Sequence, residues 1–174
     1  MSMGPRVRRL VLSIHLTVSV GWIGAVAAYL ALDIATVATD DPSILRAGYL
    51  AMGLVTRSVI VPLAIATLIS GIAISLGTRW GLFRHYWVVI SLALTVVATA
   101  VLLAETRTVS ALAEAAASPS TTPEQLAALD STLVHSIGGI LVLCAILVLN
   151  VYKPRGVTRY GWRKQQSSQG EASS

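Results

Sequence analysis

The chain has 174 residues, 55% of them hydrophobic and 12% charged, about half the charged share of an ordinary soluble domain. Thirteen basic against eight acidic residues give +5 at pH 7, and the single cysteine, Cys144, has no partner for an intramolecular disulfide and no metal-site spacing. Charge is missing altogether from four blocks, Leu10–Leu32, Val59–Gly77, Tyr86–Ala104 and Leu133–Tyr152, which excludes a water-soluble globule, a disordered chain and a disulfide scaffold.

Each block comes close to the roughly 20 apolar residues that cross about 30 Å of hydrocarbon as a helix. None shows the strict alternation of a barrel strand, and only helices or closed barrels satisfy their backbones in lipid. The expected fold is therefore all-α: an integral membrane four-helix bundle over residues 1–153, with spans of about 10–32, 59–77, 86–104 and 133–152. A basic tail over 154–174 follows, expected to be disordered, above all beyond Gln165.

In chain order, the first helix is predicted from about Val7 into the middle thirties. Pro5–Arg9 ahead of an apolar run has the outline of a signal peptide. The run exceeds the 7–15 residues of such a core, so an uncleaved first span is expected. Gly21, Gly24, Ala25 and Ala28 are small residues near four-residue spacing, a pattern for close helix approach. Asp40-Asp41-Pro42-Ser43 reads as an acidic cap with a proline opening the next helix. That helix would run about 52 Å to Gly77 at helical rise, so Ile44–Thr56 is expected to project outward or lie at the interface. Pro62 should bend it.

Trp80, Phe83, Tyr86 and Trp87 around the inner turn Gly77–His85 read as an interfacial aromatic belt. The third helix is predicted to continue past Ala104 through the alanine-rich stretch to Ala117. Ser118–Pro123 breaks it, and Thr122-Pro123-Glu124 opens a short run into the fourth span. Gly138-Gly139 there suggests tight packing against a neighbour.

Orientation follows from the basic residues. With the N-terminus in the cytoplasm, Arg6, Arg8, Arg9, Arg79, Arg84, Lys153, Arg155, Arg159, Arg163 and Lys164 fall inside, and Arg46, Arg57 and Arg107 fall outside. Both termini are expected to be cytoplasmic. The positive charge then reads as topology signal and contact with anionic lipid head groups, not as a nucleic-acid surface.

Ionisable residues inside a membrane are the functional candidates. His15 lies about 7 Å in from the inner boundary at helical rise, and His85 begins the third helix at the same side. His135 sits one turn into the fourth helix from the outer side, where Asp33, Arg57 and Glu105 complete an outer polar cluster. His15 and His135 differ in height by about 20 Å, so they share no metal or haem. A haem gripped by two histidines would need His15 with His85 and adjacent first and third helices. The structural alternatives are a His15 hydrogen-bonded across helices, an interfacial His85, and an outer cluster that is only an ion-pair network. No HExxH, CxxC, P-loop, GxSxG or dinucleotide fingerprint occurs, so no catalytic residue and no metal site is assigned.

The run from His15 through Trp22 to Gly24, the string Trp80-Gly81-Leu82-Phe83-Arg84-His85-Tyr86-Trp87 and the tail Tyr152–Trp162 resemble a family of small actinobacterial membrane proteins of unknown function. The His-x6-Trp-x-Gly pattern of the first helix is also similar to CopD-like copper-resistance proteins and HemJ-type protoporphyrinogen oxidases. These resemblances imply a bacterial inner (plasma) membrane location and haem or copper handling with His15 as ligand. HemJ-type proteins also use a lysine in a later helix, and Ser91 stands at that place in this chain, which has no lysine in any span.

The working expectation is a non-enzymatic membrane protein with a structural, assembly or partner-binding role, as a homo-oligomer or with another membrane protein. The alternatives are a haem-b-binding or redox protein using His15 and His85, and a small transporter or ion pathway.

Overall fold

The computed structural model describes residues 3–78, 81–154 and 156–163. Its elements are α1 (Pro5–Val37), α2 (Pro42–Val55), a π-turn (Thr56–Ile60), α3 (Val61–Gly77), α4 (Tyr86–Ala117), α5 (Pro123–Ala127) and α6 (Leu133–Tyr152). Because α2, the π-turn and α3 follow without a break, four helical rods are long and apolar enough to cross a membrane: Pro5–Val37, Pro42–Gly77, Tyr86–Ala117 and Leu133–Tyr152. The fold is all-α, and among the described residues the strand-like contact is the isolated bridge between His85 and Val157.

Local chemistry sets the element ends. Asp41 caps α2, its Oδ1 accepting from the backbone N–H of Ser43 at 2.8 Å and from the Ser43 hydroxyl at 2.6 Å. Thr122 and Gln125 form a reciprocal capping box at α5. The disturbance expected at Pro62 takes the form of a widened turn just upstream. Proline has no N–H and its ring crowds the carbonyl four residues back. The backbone before it opens to a five-residue repeat, with the Val61 N–H donating to the Thr56 carbonyl.

The rods pack in a ring. α1 lies against α2, α3 and α6, and α4 lies against α2, α3 and α6. α1 and α4 therefore occupy opposite corners.

At one end the N-terminus, the α3–α4 turn and the chain after α6 come together. The Met3 N–H donates to the Gly77 carbonyl at 3.2 Å, and the Tyr86 N–H donates to the Gly156 carbonyl at 3.3 Å. Lys153, in a left-handed conformation (φ 44°), ends α6 with its N–H on the Leu149 carbonyl. The chain then turns back. Thr158 donates its N–H to the Arg84 carbonyl at 3.0 Å and its hydroxyl to the Phe83 carbonyl at 2.5 Å, ahead of a helical turn over 159–163. The disorder expected for 154–174 thus does not hold for 156–163. Backbone groups of the α3–α4 turn and that segment satisfy each other. Disorder beyond Gln165, and the parts assigned to Arg79, Trp80 and Arg155, lie outside the described residues. Trp87, expected in the aromatic belt, is buried, while Phe83 and Tyr86 are exposed.

At the other end α2, the second half of α4 and α5 form a head. Leu45, Tyr49 and Met52 of α2 bury themselves against Val109, Leu112 and Ala116 of α4 and Leu126 of α5. A Cβ on Gly53 would stand 2.6 Å from Ala113 Cβ, so this contact requires glycine. The Arg46 guanidinium donates to the carbonyls of Ala116, Ser118 at 2.9 Å and Thr121 at 3.2 Å. It thereby satisfies orphan acceptors at the α4 C-terminus with a charge of the favourable sign. Tight glycine contacts occur in the head and also at the opposite end, where a Cβ on Gly77 would stand 2.5 Å from the Met3 sulfur and one on Gly161 2.6 Å from the Arg84 carbonyl oxygen. Gly24 and Gly138, which looked like packing glycines, face open space, and Gly139 only approaches Val26 at 3.8 Å.

Candidate functional site

Trp22, Tyr29, Asp33 and Thr36 are the buried residues of α1. Steps of seven, four and three residues keep them on a single helix face. That face meets the start of α6. Asp33 is 1% exposed, and its Oδ2 accepts from the Thr132 hydroxyl at 2.8 Å and the Ser136 hydroxyl at 2.9 Å. With the Thr132 proton committed to Asp33, the Tyr29 hydroxyl, 2.9 Å from Thr132 Oγ1, donates to it. Asp33 Oδ1 has no hydrogen-bond partner among the described residues.

The other members of the expected outer cluster separate. Glu105 and His135 pair at 3.4 Å, with His135 the more exposed. Arg57, in the π-turn, is exposed on the outer flank of α2 and α4, in a shallow cleft with Leu50, Gly53, Leu54, Ser58, Ala113, Glu114 and Ala117. One expected cluster is thus a buried group around Asp33, a partly exposed Glu105–His135 pair and one arginine on the outer flank.

Beside the Asp33 group and the Glu105–His135 pair lies a cavity of about 300 Å³. Trp22, Val26 and Tyr29 of α1 line it, with Thr56 and Ile60 of the π-turn, Leu94 to Val109 of α4, and Thr132 to Leu143 at the start of α6. The wall is overwhelmingly apolar. Its mouth opens between α4 and α6, where Val97, Val101 and Val134 on the rim are exposed. Two of the lining residues, Trp22 and Thr56, each carry a buried polar atom, Nε1 and Oγ1, with no hydrogen-bond partner among the described residues.

The inner candidates lie elsewhere. His15 Nδ1 is 2.9 Å from Ser70 Oγ, and the Ser70 hydroxyl donates to the Ala66 carbonyl at 2.6 Å. The serine oxygen therefore accepts from His15, which puts the proton on Nδ1. The ring rests on Gly71, whose added Cβ would be 3.2 Å from His15 Cε1. His85 is the N-cap residue of α4 and bridges to Val157. Ser91 is buried and its Oγ accepts from Asn150 Nδ2 of α6 at 3.3 Å.

His15 and His85 thus sit on opposite corners of the ring, and neither lines either cavity. That arrangement does not fit a haem gripped by both. Among the described residues no three His, Cys, Asp or Glu side chains gather as a metal site. Cys144 is exposed and unpaired.

Sequence reasoning reached Asp33, Glu105 and His135 through their charge beside apolar blocks. It missed Thr56 as a cavity residue, and met Trp22 only within a motif. A threonine in an apolar run gives no signal of its own, because helices usually satisfy it locally. Comparison with protein-family models, with curated proteins and with solved structures finds no match.

Proposed function

We propose that the chain is a multi-pass protein of a bacterial inner membrane that works by binding a small lipophilic molecule rather than by catalysis. Both termini are on the cytoplasmic side in this reading, supported by the basic residues of the segments around Met3, the α3–α4 turn and residues 156–163, which lie at one end of the bundle. The cavity then stands in the outer half of the membrane, with its mouth toward the acyl chains.

The observation that carries the reading is the cavity itself: about 300 Å³, walled by apolar side chains and framed by all four rods. That is the lower end of the size range of small-molecule sites, which are concave, mostly apolar and fixed by a few polar groups. Its valine-rimmed mouth offers a guest dissolved in the bilayer a path that never crosses water.

Hexamethylbenzene, a rigid uncharged hydrocarbon, tests the reading. Purified protein in lipid nanodiscs should retain one equivalent above the amount held by empty nanodiscs. Gly138→Phe should abolish that excess without loss of thermal stability. The added ring points from a position where a Cβ meets nothing within 4 Å, and replacing a mid-helix glycine favours the helix. No excess retention by the wild-type protein would overturn the binding reading and leave a structural or assembly role.

A further inference from the structure

We propose that the guest is an uncharged lipophilic carbonyl compound, of the quinone type, whose oxygen accepts hydrogen bonds from Trp22 Nε1 and Thr56 Oγ1. The inference rests on the binding reading above and names the chemistry of its ligand.

Trp22 is 3% exposed and Thr56 2% exposed. Both line the cavity, and Trp22 Nε1 and Thr56 Oγ1 have no partner among the described residues. An indole N–H is a donor only, so its complement must be an acceptor. A threonine in a helix normally resolves its own hydroxyl on a carbonyl one turn back. Thr95 and Thr99 do so at 2.8 Å each, onto Ser91 and Thr95. Thr56, at the first position of the π-turn, does not. Its O–H remains available to a guest.

The other hydroxyls on the wall make no such demand. Tyr29, Thr132 and Ser136 satisfy one another and Asp33. The wall holds no lysine or arginine, and its one histidine, His135, is paired with the Glu105 carboxylate that also lies on it. A carboxylate or phosphate guest would find no unpaired cation there and would have to be desolvated beside that carboxylate, at a steep cost. A neutral carbonyl avoids both. A lone water is the competing occupant, but it needs two to four polar partners to stay in an apolar cavity, and these two donors supply few.

Duroquinone and hexamethylbenzene have the same outline and differ by two carbonyls in place of two methyl-bearing carbons, so their comparison isolates the acceptor. Full substitution of the quinone ring also prevents its addition to Cys144. Equilibrium dialysis against nanodisc-embedded protein, corrected for partition into empty nanodiscs, should show duroquinone bound about tenfold more tightly, the scale of one or two net hydrogen bonds. Trp22→Phe and Thr56→Val should each cut the ratio of duroquinone to hexamethylbenzene affinity several-fold, with hexamethylbenzene still retained, which shows that the variants keep the cavity. Equal affinity of the wild-type protein for the two probes overturns the carbonyl assignment and leaves the cavity reading standing. A preference that survives in both variants overturns the assignment to these two donors. Absence of binding by either probe overturns both readings.

Discussion

The head and the spanning part of this protein follow opposite rules. In the head, Leu45, Tyr49, Met52, Leu112 and Leu126 are inside, and an arginine closes a helix end. In the spanning part, Ile69, Leu76, Val97 and Leu141 face outward, while Thr67, Ser70, Ser91, Thr95, Thr99 and Ser136 are buried. One continuous rod, Pro42–Gly77, passes through both environments. The difference is one of solvent. Water drives apolar side chains inward in the head, whereas lipid offers them no such penalty and leaves packing and hydrogen bonds to hold the helices together.

That contrast has a direct test, with the largest effect first. Met52→Ala, at a head position 1% exposed, should cost about 2–5 kcal/mol through lost contacts and a residual cavity. Leu141→Ala, at a lipid-facing position 63% exposed, should cost about 0.5 kcal/mol or less. Thermal unfolding of both variants in the same nanodiscs gives the comparison. Equal losses would mean that the two regions obey one rule after all.

A smaller effect probes the seam. Asp33→Leu removes the acceptor shared by Thr132 and Ser136, and should cost about 1–3 kcal/mol for stranded hydroxyls. Asp33→Asn keeps one carbonyl acceptor and should recover part of that loss in the same assay. If both variants unfold like the wild type, the carboxylate does not tie α1 to α6.

The smallest effect belongs to the α2 cap, and pH reads it. The hydroxyl and N–H of Ser43 on Asp41 hold that carboxyl below its usual range. Its folded-state value is thus lower than its unfolded one. The contribution is complete above the unfolded value and is lost as pH falls through the folded value. A small fall in unfolding temperature on acidification should therefore shrink in Asp41→Ala. An unchanged acid limb in that variant would remove Asp41 from the account.

Much of the fold was legible because lipid enforces a simple code. The four charge-free blocks correspond to four helical rods, and the helical pattern of Ser43–Thr56 and of Glu105–Ala117 continued past the apolar blocks, as it does in α2 and α4. The candidate site was less legible. Asp33 was expected beside Arg57, both near outer helix ends, yet height along a helix says nothing about the face a residue occupies. Packing of α1 on α6 gives Asp33 the hydroxyls of Thr132 and Ser136, about a hundred residues away in sequence, and leaves Arg57 outside. The glycines mislead for the same reason. Gly53 and Gly138 look alike in sequence, and only the partner across the gap tells a contact from an open mouth.

The return of the chain after α6 has a mechanical side. Val157 and Thr158 fasten the end of α6 to the start of α4 through His85, Arg84 and Phe83. The cavity mouth lies between the same two helices, at the start of α6 and midway along α4. The fastening and the mouth are thus separate places along one pair of helices. From the clasp to the rim near Val134 is about 25 Å at helical rise. A pivot of roughly 5° at the clasp would move the rim by about 2 Å over that reach, without breaking a bond inside either helix.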